Sequence, residues 1–138
     1  MKKIKRHTAI VLLLTLAISC VKQNANLQNT KWSYNFEGSS DYFEFKENAK
    51  YNYYSCELNE LFYGTYTVEG DTINIVQLGS EFDTSFKEGS RHRVPKEKYK
   101  LFVKNNTITH LEKWEFKDEK WYKSNFKFDE NYIFEKNK

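Results

Sequence analysis

Apolar side chains recur at every second position through most of the chain after Thr30, and this alternation restricts the fold more than any other feature. In the stretch TKWSYNFE, the rings of Trp32, Tyr34 and Phe36 alternate with polar residues. Successive side chains of a β-strand point to opposite faces, so this spacing predicts strands with one apolar face. No stretch of ten residues or more has an apolar period of 3.6 residues. The chain is therefore predicted to be all-β.

The same alternation predicts about nine short strands separated by turn-forming residues. The later strands are expected in DYFEFK, KYNYYS, LFYGTYTV, TINIVQL, YKLFV, TITHLEKWEF, KSNFKFD and NYIFEK. Gly70-Asp71 and Asn105-Asn106 are typical of tight hairpin turns, because Gly and Asn tolerate a positive φ. The alternation slips between His110 and Lys113, which predicts a β-bulge.

Hairpin-length links between successive strands favour one architecture. An up-and-down antiparallel barrel of about 8–9 strands removes exposed strand edges by closing on itself. A two-sheet β-sandwich is the alternative.

The first nineteen residues have the order of a secretory signal peptide. Four basic residues between positions 2 and 6 precede an uncharged apolar run, Ala9–Ser19. This order is typical of secretory leaders. A helix needs roughly 20 residues to cross a bilayer, so the run is too short for a permanent span.

The apolar run ends in Leu16-Ala17-Ile18-Ser19-Cys20, which resembles the bacterial lipobox. The resemblance implies cleavage before Cys20 and attachment of a lipid to the Cys20 thiol. An ordinary signal peptide with a cysteine near its cleavage site is the alternative. The predicted organisation is a lipoprotein signal peptide at 1–19, a lipidated tether at 20–29 and a barrel domain at 30–138.

The lipid would attach the protein to a membrane of the bacterial cell envelope. Val21 stands where some inner-membrane lipoproteins have an Asp that retains them, so the resemblance implies the outer membrane, on a face that the sequence does not specify.

Charge argues against nucleic acid as a partner. The full chain has 22 Lys and Arg against 19 Asp and Glu, and removal of the predicted leader changes the formal charge from +3 to −1. A nucleic-acid-binding domain typically carries a basic face or stripe, which this balance does not provide. Lipidation of Cys20 would leave Cys56 without a disulfide partner, and we interpret Cys56 as a small half-buried residue beside a hairpin.

Three segments together are similar to the bacterial lipocalin-like lipoproteins: LQNTKWSY, DYFEFKENAKYNYYS and YGTYTVEGDTINIV. In that family a Trp lies on the first strand, and a Gly-x-Tyr strand runs into a Gly-Asp turn and an aliphatic strand. The corresponding positions here are Trp32, Gly64, Tyr66, Gly70, Asp71, Ile73 and Ile75. The resemblance implies a small barrel with one end closed by Trp32, and it implies no particular ligand.

No pattern in the sequence indicates catalytic chemistry, a metal or a cofactor. An enzyme needs a nucleophile with its base, a carboxylate pair or clustered metal ligands. His92 and His110 lie in no recognisable motif. His110 shares a predicted strand with Ile108, and an inward orientation would make its charge sensitive to burial. We therefore predict a non-catalytic protein.

Aromatic residues are the strongest indication of what the interior holds. The chain has 10 Tyr, 11 Phe and 3 Trp, and such rings fill much of a narrow barrel. The residues expected to line the interior against a ligand are Trp32, Tyr34, Phe43, Tyr53, Tyr66 and Ile75.

One long irregular segment interrupts the strands. Residues 79–98 exceed the usual length of a loop in a compact domain, and such loops are often functional. Phe82 and Phe86 are expected to cap the barrel mouth, and Arg91 and Arg93 to contact an anion. A flexible charged excursion is the alternative.

Three functions are consistent with these features. The first is a membrane-anchored lipocalin-like lipoprotein that binds a small hydrophobic or amphipathic ligand. The second is an envelope protein-interaction module, such as an accessory, inhibitor or immunity-type lipoprotein, which contacts a protein partner through its outer surface or the 79–98 loop. The third, an enzyme built on His110 and nearby acids, requires those groups to lie within about 3 Å of one another.

Overall fold

A computed structural model of the chain describes residues 25–81 and 96–138. These residues form nine β-strands and no helix, so the described ranges contain no helix that is long and apolar enough to cross a membrane. In chain order the strands are β1 (Thr30–Phe36), β2 (Ser39–Phe45), β3 (Lys50–Ser55), β4 (Glu60–Glu69), β5 (Thr72–Glu81), β6 (Glu97–Lys104), β7 (Thr107–Lys117), β8 (Lys120–Lys123) and β9 (Ile133–Lys136).

Eight of these strands close into an antiparallel barrel. Strands β1 to β7 pair in chain order, and β9 lies between β7 and β1 to complete the ring. Strand β8 lies outside the ring, where it pairs with residues 114–117 of β7. The predicted up-and-down barrel is confirmed, and the two-sheet alternative is wrong. A closed eight-stranded antiparallel ring also agrees with the lipocalin-like barrel that the resemblance implies.

The tight turns lie where turn chemistry predicts them. Asn105 and Asn106 both adopt positive φ, 49° and 63°, between β6 and β7. Gly70 has a φ of 61° and begins the two-residue turn between β4 and β5. Positive φ at these positions gives the turn the twist of the flanking strands, which keeps each hairpin in register.

Two β-bulges adjust which side chains face the interior. The pairing of β4 with β5 shifts beside Gly64, and the pairing of β6 with β7 shifts opposite Leu111. The second shift confirms the bulge predicted between His110 and Lys113. Leu111 is the extra residue and is 50 % exposed, so His110 and Lys113 on either side of it both face inward.

Gly64 is required by a close approach of two strands. A Cβ atom at this position would lie 2.0 Å from the carbonyl oxygen of Val76 and 2.9 Å from Cε1 of Tyr51. Real Cβ atoms do not approach a backbone oxygen so closely, so the bulged pairing of β4 with β5 depends on glycine.

One end of the barrel is filled by the core. Trp32 is 3 % exposed there, and its Nε1 donates a 2.8 Å hydrogen bond to Thr30 Oγ1. Leu27 is 2 % exposed and packs with the same core, although it lies in the predicted tether. The other fully buried side chains of the core include Phe45, Ile73, Leu101, Ile108 and Phe134.

One predicted strand is wrong. The alternation of Phe126 and Phe128 predicted a strand over KSNFKFD, but residues 124–128 form no strand, and the eighth strand is Lys120–Lys123 instead. Strands β8 and β9 pair with successive parts of one edge of β7. The chain between them must leave that edge, and its two phenylalanines lie over the barrel mouth instead.

Candidate functional site

The barrel opens into a cavity at the end opposite Trp32. The cavity has a volume of about 1150 Å3 and lies between the β1–β2 turn, the β3–β4 turn, the first residues of β6 and the segment that precedes β9. This volume is slightly above the roughly 300–1,000 Å3 typical of small-molecule sites. The apolar and aromatic side chains that line it are Tyr34, Phe36, Tyr53, Leu58, Phe62, Tyr99, Phe126, Phe128 and Tyr132.

Acidic residues occupy the inward face of three strands where those strands reach the cavity. Asp41 precedes Phe43 on β2, and Glu60 precedes Phe62 on β4, each two positions earlier. Glu97 precedes Tyr99 on β6 in the same way. Side chains two positions apart on a strand share a face, so the alternation that directs the aromatic residues inward also directs these carboxylates inward.

Asp41 is held by three hydrogen bonds. Its Oδ1 accepts from the backbone N–H of Cys56 at 2.7 Å, and its Oδ2 accepts from the hydroxyls of Tyr53, at 3.3 Å, and of Tyr132. Burial raises the pKa of Asp41, but hydrogen bonds led by those of Cys56 and Tyr132 outweigh that effect and hold the pKa below its ordinary value of 3.8. Asp41 is therefore a carboxylate at neutral pH.

The two tyrosines of this cluster keep their protons. The hydroxyls of Tyr53 and Tyr132 lie 2.8 Å apart, and both rings face the cavity. Burial is the main cause that raises the pKa of each phenol. The cluster is thus an ordered set of hydrogen-bond donors around one carboxylate, and it positions the mouth-facing ends of β2, β3 and the segment before β9 relative to one another.

Glu97 forms a second polar cluster on the opposite wall. Its Oε1 lies 2.7 Å from Lys113 Nζ, and its Oε2 accepts a hydrogen bond from the Tyr99 hydroxyl. Glu97 is 7 % exposed. The bulge at Leu111 is what turns Lys113 inward, so this ion pair is a consequence of the irregular pairing of β6 with β7.

His110 lies deeper, beside a second cavity of about 90 Å3 that shares five lining residues with the large one. Aromatic rings surround the imidazole, with Phe128 stacked at 4.2 Å and Tyr132 at 5.5 Å between centroids. Its Nδ1 is inaccessible and has no hydrogen-bond partner among the described residues. Burial lowers the pKa of His110 to about 4, so the ring is neutral at pH 7.

The structure separates the predicted lining residues into two groups. Tyr34 and Tyr53 line the large cavity, and Phe43 and Tyr53 line the small one. The remaining three, Trp32, Tyr66 and Ile75, are buried in the core and border neither cavity. Cys20 and the proposed loop residues Phe82, Phe86, Arg91 and Arg93 lie outside the described residues.

Sequence reasoning missed most of the polar residues at the cavity. The sequence does indicate the inward orientation of Asp41, Glu60 and Glu97, because each lies two positions before an inward-facing aromatic residue of the same strand. Lys113 has no such signal, because its inward orientation depends on a bulge whose position the sequence restricts only to a few residues. The contacts of Tyr132 with Asp41 join residues 91 positions apart and follow from ring closure alone.

The described residues include no group of three or more His, Cys, Asp or Glu side chains arranged to hold a metal ion. Cys56 is a half-buried free thiol in the β3–β4 turn. Comparisons of the chain with protein families, with curated proteins and with solved structures found no match.

Proposed function

We propose that this chain is a lipid-anchored, lipocalin-like protein of the bacterial cell envelope that holds a small hydrophobic or amphipathic molecule in its cavity without transforming it. The lipobox resemblance at Cys20 supports the anchor, and Val21 supports the outer membrane as its location. The single observation that carries ligand binding is the cavity of about 1150 Å3, walled by aromatic side chains, at one end of an otherwise filled barrel.

The polar groups at the cavity favour binding over catalysis. Asp41 accepts three hydrogen bonds and Glu97 pairs with Lys113, so two of the three inward carboxylates are already engaged by donors of the protein. His110 Nδ1 has no partner among the described residues that would activate it. Groups held in this way orient a ligand, whereas general acid–base catalysis requires a titratable group within reach of a reacting proton.

Native mass spectrometry of the protein isolated from its own organism tests ligand binding. We expect a reproducible added mass that is lost on denaturation. A Ser39→Trp variant should reduce this adduct, because Ser39 lines the mouth of the cavity. Ser40→Trp is the matched control, since its neighbouring position faces away from the cavity. A protein that carries no added mass under any condition would contradict the proposal.

Membrane fractionation tests the anchor. Cys20→Ser removes the acylated thiol and should move the protein out of the membrane fraction. Cys56→Ser is the matched control, because it removes the other cysteine and should leave membrane attachment unchanged. Continued membrane association of the Cys20→Ser protein would refute lipidation at this residue.

A protein-interaction module is a second candidate, supported by apolar residues at the rim of the cavity. Phe36, Leu58 and Phe126 are 55 %, 62 % and 61 % exposed. Clustered exposed apolar residues are typical of contact surfaces. A pull-down from solubilised envelope should then recover a specific partner that Leu58→Lys no longer binds, and recovery of none would remove this candidate. Neither candidate involves nucleic acid.

A further inference from the structure

The charges that line the large cavity are strongly unbalanced. Among its described lining residues one side chain is an ammonium, that of Lys113, and it pairs with Glu97. Six side chains are carboxylates, a formal excess of five negative charges. The six are Glu37, Asp41, Glu57, Glu60, Glu97 and Asp129. A cleft with apolar walls and charges of one sign focuses its field and concentrates ions of the opposite sign.

Glu60 differs from the other inward carboxylates in its contacts. Asp41 and Glu97 are satisfied by neighbouring donors. Glu60 Oε1 is inaccessible to water and has no hydrogen-bond partner among the described residues. A carboxylate with a buried oxygen that lacks a donor is costly, so the Glu60 carboxylate gains more from a donor on a ligand than Asp41 or Glu97, whose oxygens already accept hydrogen bonds.

The interior around His110 offers a second unsatisfied atom and no positive charge. His110 Nδ1 is also inaccessible without a partner in the described part of the chain, and burial keeps the imidazole neutral at pH 7. The rings stacked around it, Phe128 and Tyr132, also line the large cavity. Aromatic faces attract cations through the ring quadrupole, so these walls accept an apolar body and an ammonium group alike.

The connection between β5 and β6 does not reverse this balance. This connection, residues 82–96, contains four basic and two acidic side chains, a formal charge of +2. This is smaller than the excess of carboxylates at the cavity, whatever the position of the connection.

We propose that the molecule held in the cavity is an amphipathic cation, an amine with an aliphatic or aromatic body, whose ammonium N–H donates to Glu60 while its apolar part lies against the aromatic walls. This inference rests on the proposed ligand-binding function and specifies the chemical class of the ligand.

Three probes that share an eight-carbon chain separate charge from apolar burial: octylammonium, 1-octanol and octanoate. Titration calorimetry is performed at pH 7 on the complete chain carrying Cys20→Ser, so that no detergent competes for the cavity. We expect octylammonium to bind about tenfold more tightly than 1-octanol, and octanoate to bind most weakly. The preference for octylammonium should decrease as salt is raised from about 20 mM to about 300 mM, because added ions screen the carboxylates.

Substitutions then identify the carboxylate that attracts the ammonium group of the probe. Glu60→Gln should reduce octylammonium affinity about tenfold and leave 1-octanol affinity unchanged. Glu44→Gln is the matched control, because Glu44 is half-exposed, pairs with Lys46 and does not line the cavity. If Glu60→Gln prevents folding, Asp129→Asn at the exposed rim replaces it, with an expected loss of about threefold.

Each outcome has a defined meaning. Equal binding of the three probes, or tighter binding of octanoate, would overturn the cationic ligand and leave the proposed function standing. Binding of none of the three would overturn both. A Glu60→Gln protein that loses affinity for octylammonium and 1-octanol equally would show that Glu60 shapes the cavity and does not attract charge, which would also overturn the inference.

Discussion

Lys113→Met removes the ammonium that compensates a carboxylate inside the barrel. Lys113 Nζ lies 2.7 Å from Glu97 Oε1, which corresponds to an attraction of about 6 kcal/mol at an effective dielectric constant of about 20, before desolvation. Loss of one partner from a buried pair costs about 3–5 kcal/mol, because the remaining charge has no compensation. We expect about 3 kcal/mol here, at the lower end, since the Lys113 side chain is 21 % exposed and water can reach Glu97 once it is shortened.

The double variant Lys113→Met with Glu97→Gln distinguishes a stranded charge from lost packing. A neutral amide can still accept the hydrogen bond from Tyr99. The double variant should therefore be more stable than Lys113→Met alone by about 2 kcal/mol. Urea unfolding of all four proteins at pH 7, followed by tryptophan fluorescence, measures the free energies of unfolding.

Lys123→Met is the matched control for this cycle. Lys123 pairs with Glu112 at 2.6 Å, but its side chain is 55 % exposed, and such surface pairs contribute about 0–1 kcal/mol. A coupling energy below about 0.5 kcal/mol between Lys113 and Glu97 would refute the reasoning. It would mean that charges inside the cavity are screened as strongly as charges on the protein surface.

Four further perturbations test the packing and the titration of the barrel. Phe134→Ala should cost about 3–5 kcal/mol in unfolding free energy, because the ring is fully buried and lies on the strand that closes the barrel. Phe134→Leu should cost much less, because most of the buried volume is kept. Equal losses from the two substitutions would contradict a packing role. Gly64→Ala should lower the thermal midpoint by several degrees, since a Cβ would lie 2.0 Å from the Val76 carbonyl oxygen; an unchanged midpoint would show that the bulge can relax. The unfolded histidine takes up a proton below pH 6.5, while buried His110 resists protonation to about pH 4, so the native protein loses stability as pH falls through that window. His110→Phe should therefore make the free energy of unfolding less dependent on pH between 6.5 and about 4. An unaltered pH profile would contradict burial of a neutral ring. Asp41→Asn should remove a separate loss of stability near and below pH 4, since the pKa of Asp41 is held below 3.8 in the folded state and protonation of Asp41 favours unfolding. Chemical denaturation across pH measures the pH windows of both His110 and Asp41. A difference in unfolding free energy between the wild-type protein and Asp41→Asn that persists at acid pH would contradict this prediction.

Alternation was a sufficient guide to the strands because it is a local property. A strand exposes its side chains to two faces with a period of two, so Trp32 and Tyr34, or Phe43 and Phe45, report their face without knowledge of any partner. The turn at Asn105-Asn106 is local in the same sense, since its residues supply the positive φ that the hairpin needs. The error at Phe126 and Phe128 shows the limit: the same alternation occurs in residues 124–128, which form no strand and whose two rings line the cavity instead.

The residues that line the cavity were harder to predict from the sequence. The six residues expected to line it all have rings or branched side chains on the inward face, yet Trp32, Tyr66 and Ile75 fill the core and only Tyr34, Phe43 and Tyr53 border empty space. Alternation along the strand determines whether a side chain faces inward, whereas the height of the residue along the barrel axis determines whether that side chain borders a cavity. That height depends on the register between strands, which a list of strands does not supply.

The sequence by itself determined the class of fold, the positions of eight of the nine described strands, two turn sites and the region of one bulge, because each of these depends on neighbours within a few residues. Tertiary structure alone decided that β9 closes the ring, that Tyr132 meets Asp41 across 91 positions, and that Lys113 turns inward to Glu97. It also decided that one end is filled while the other holds an aromatic cavity with an excess of carboxylates. Those features arise from distant segments brought together by ring closure, and the contacts that define them do not exist until the barrel is complete.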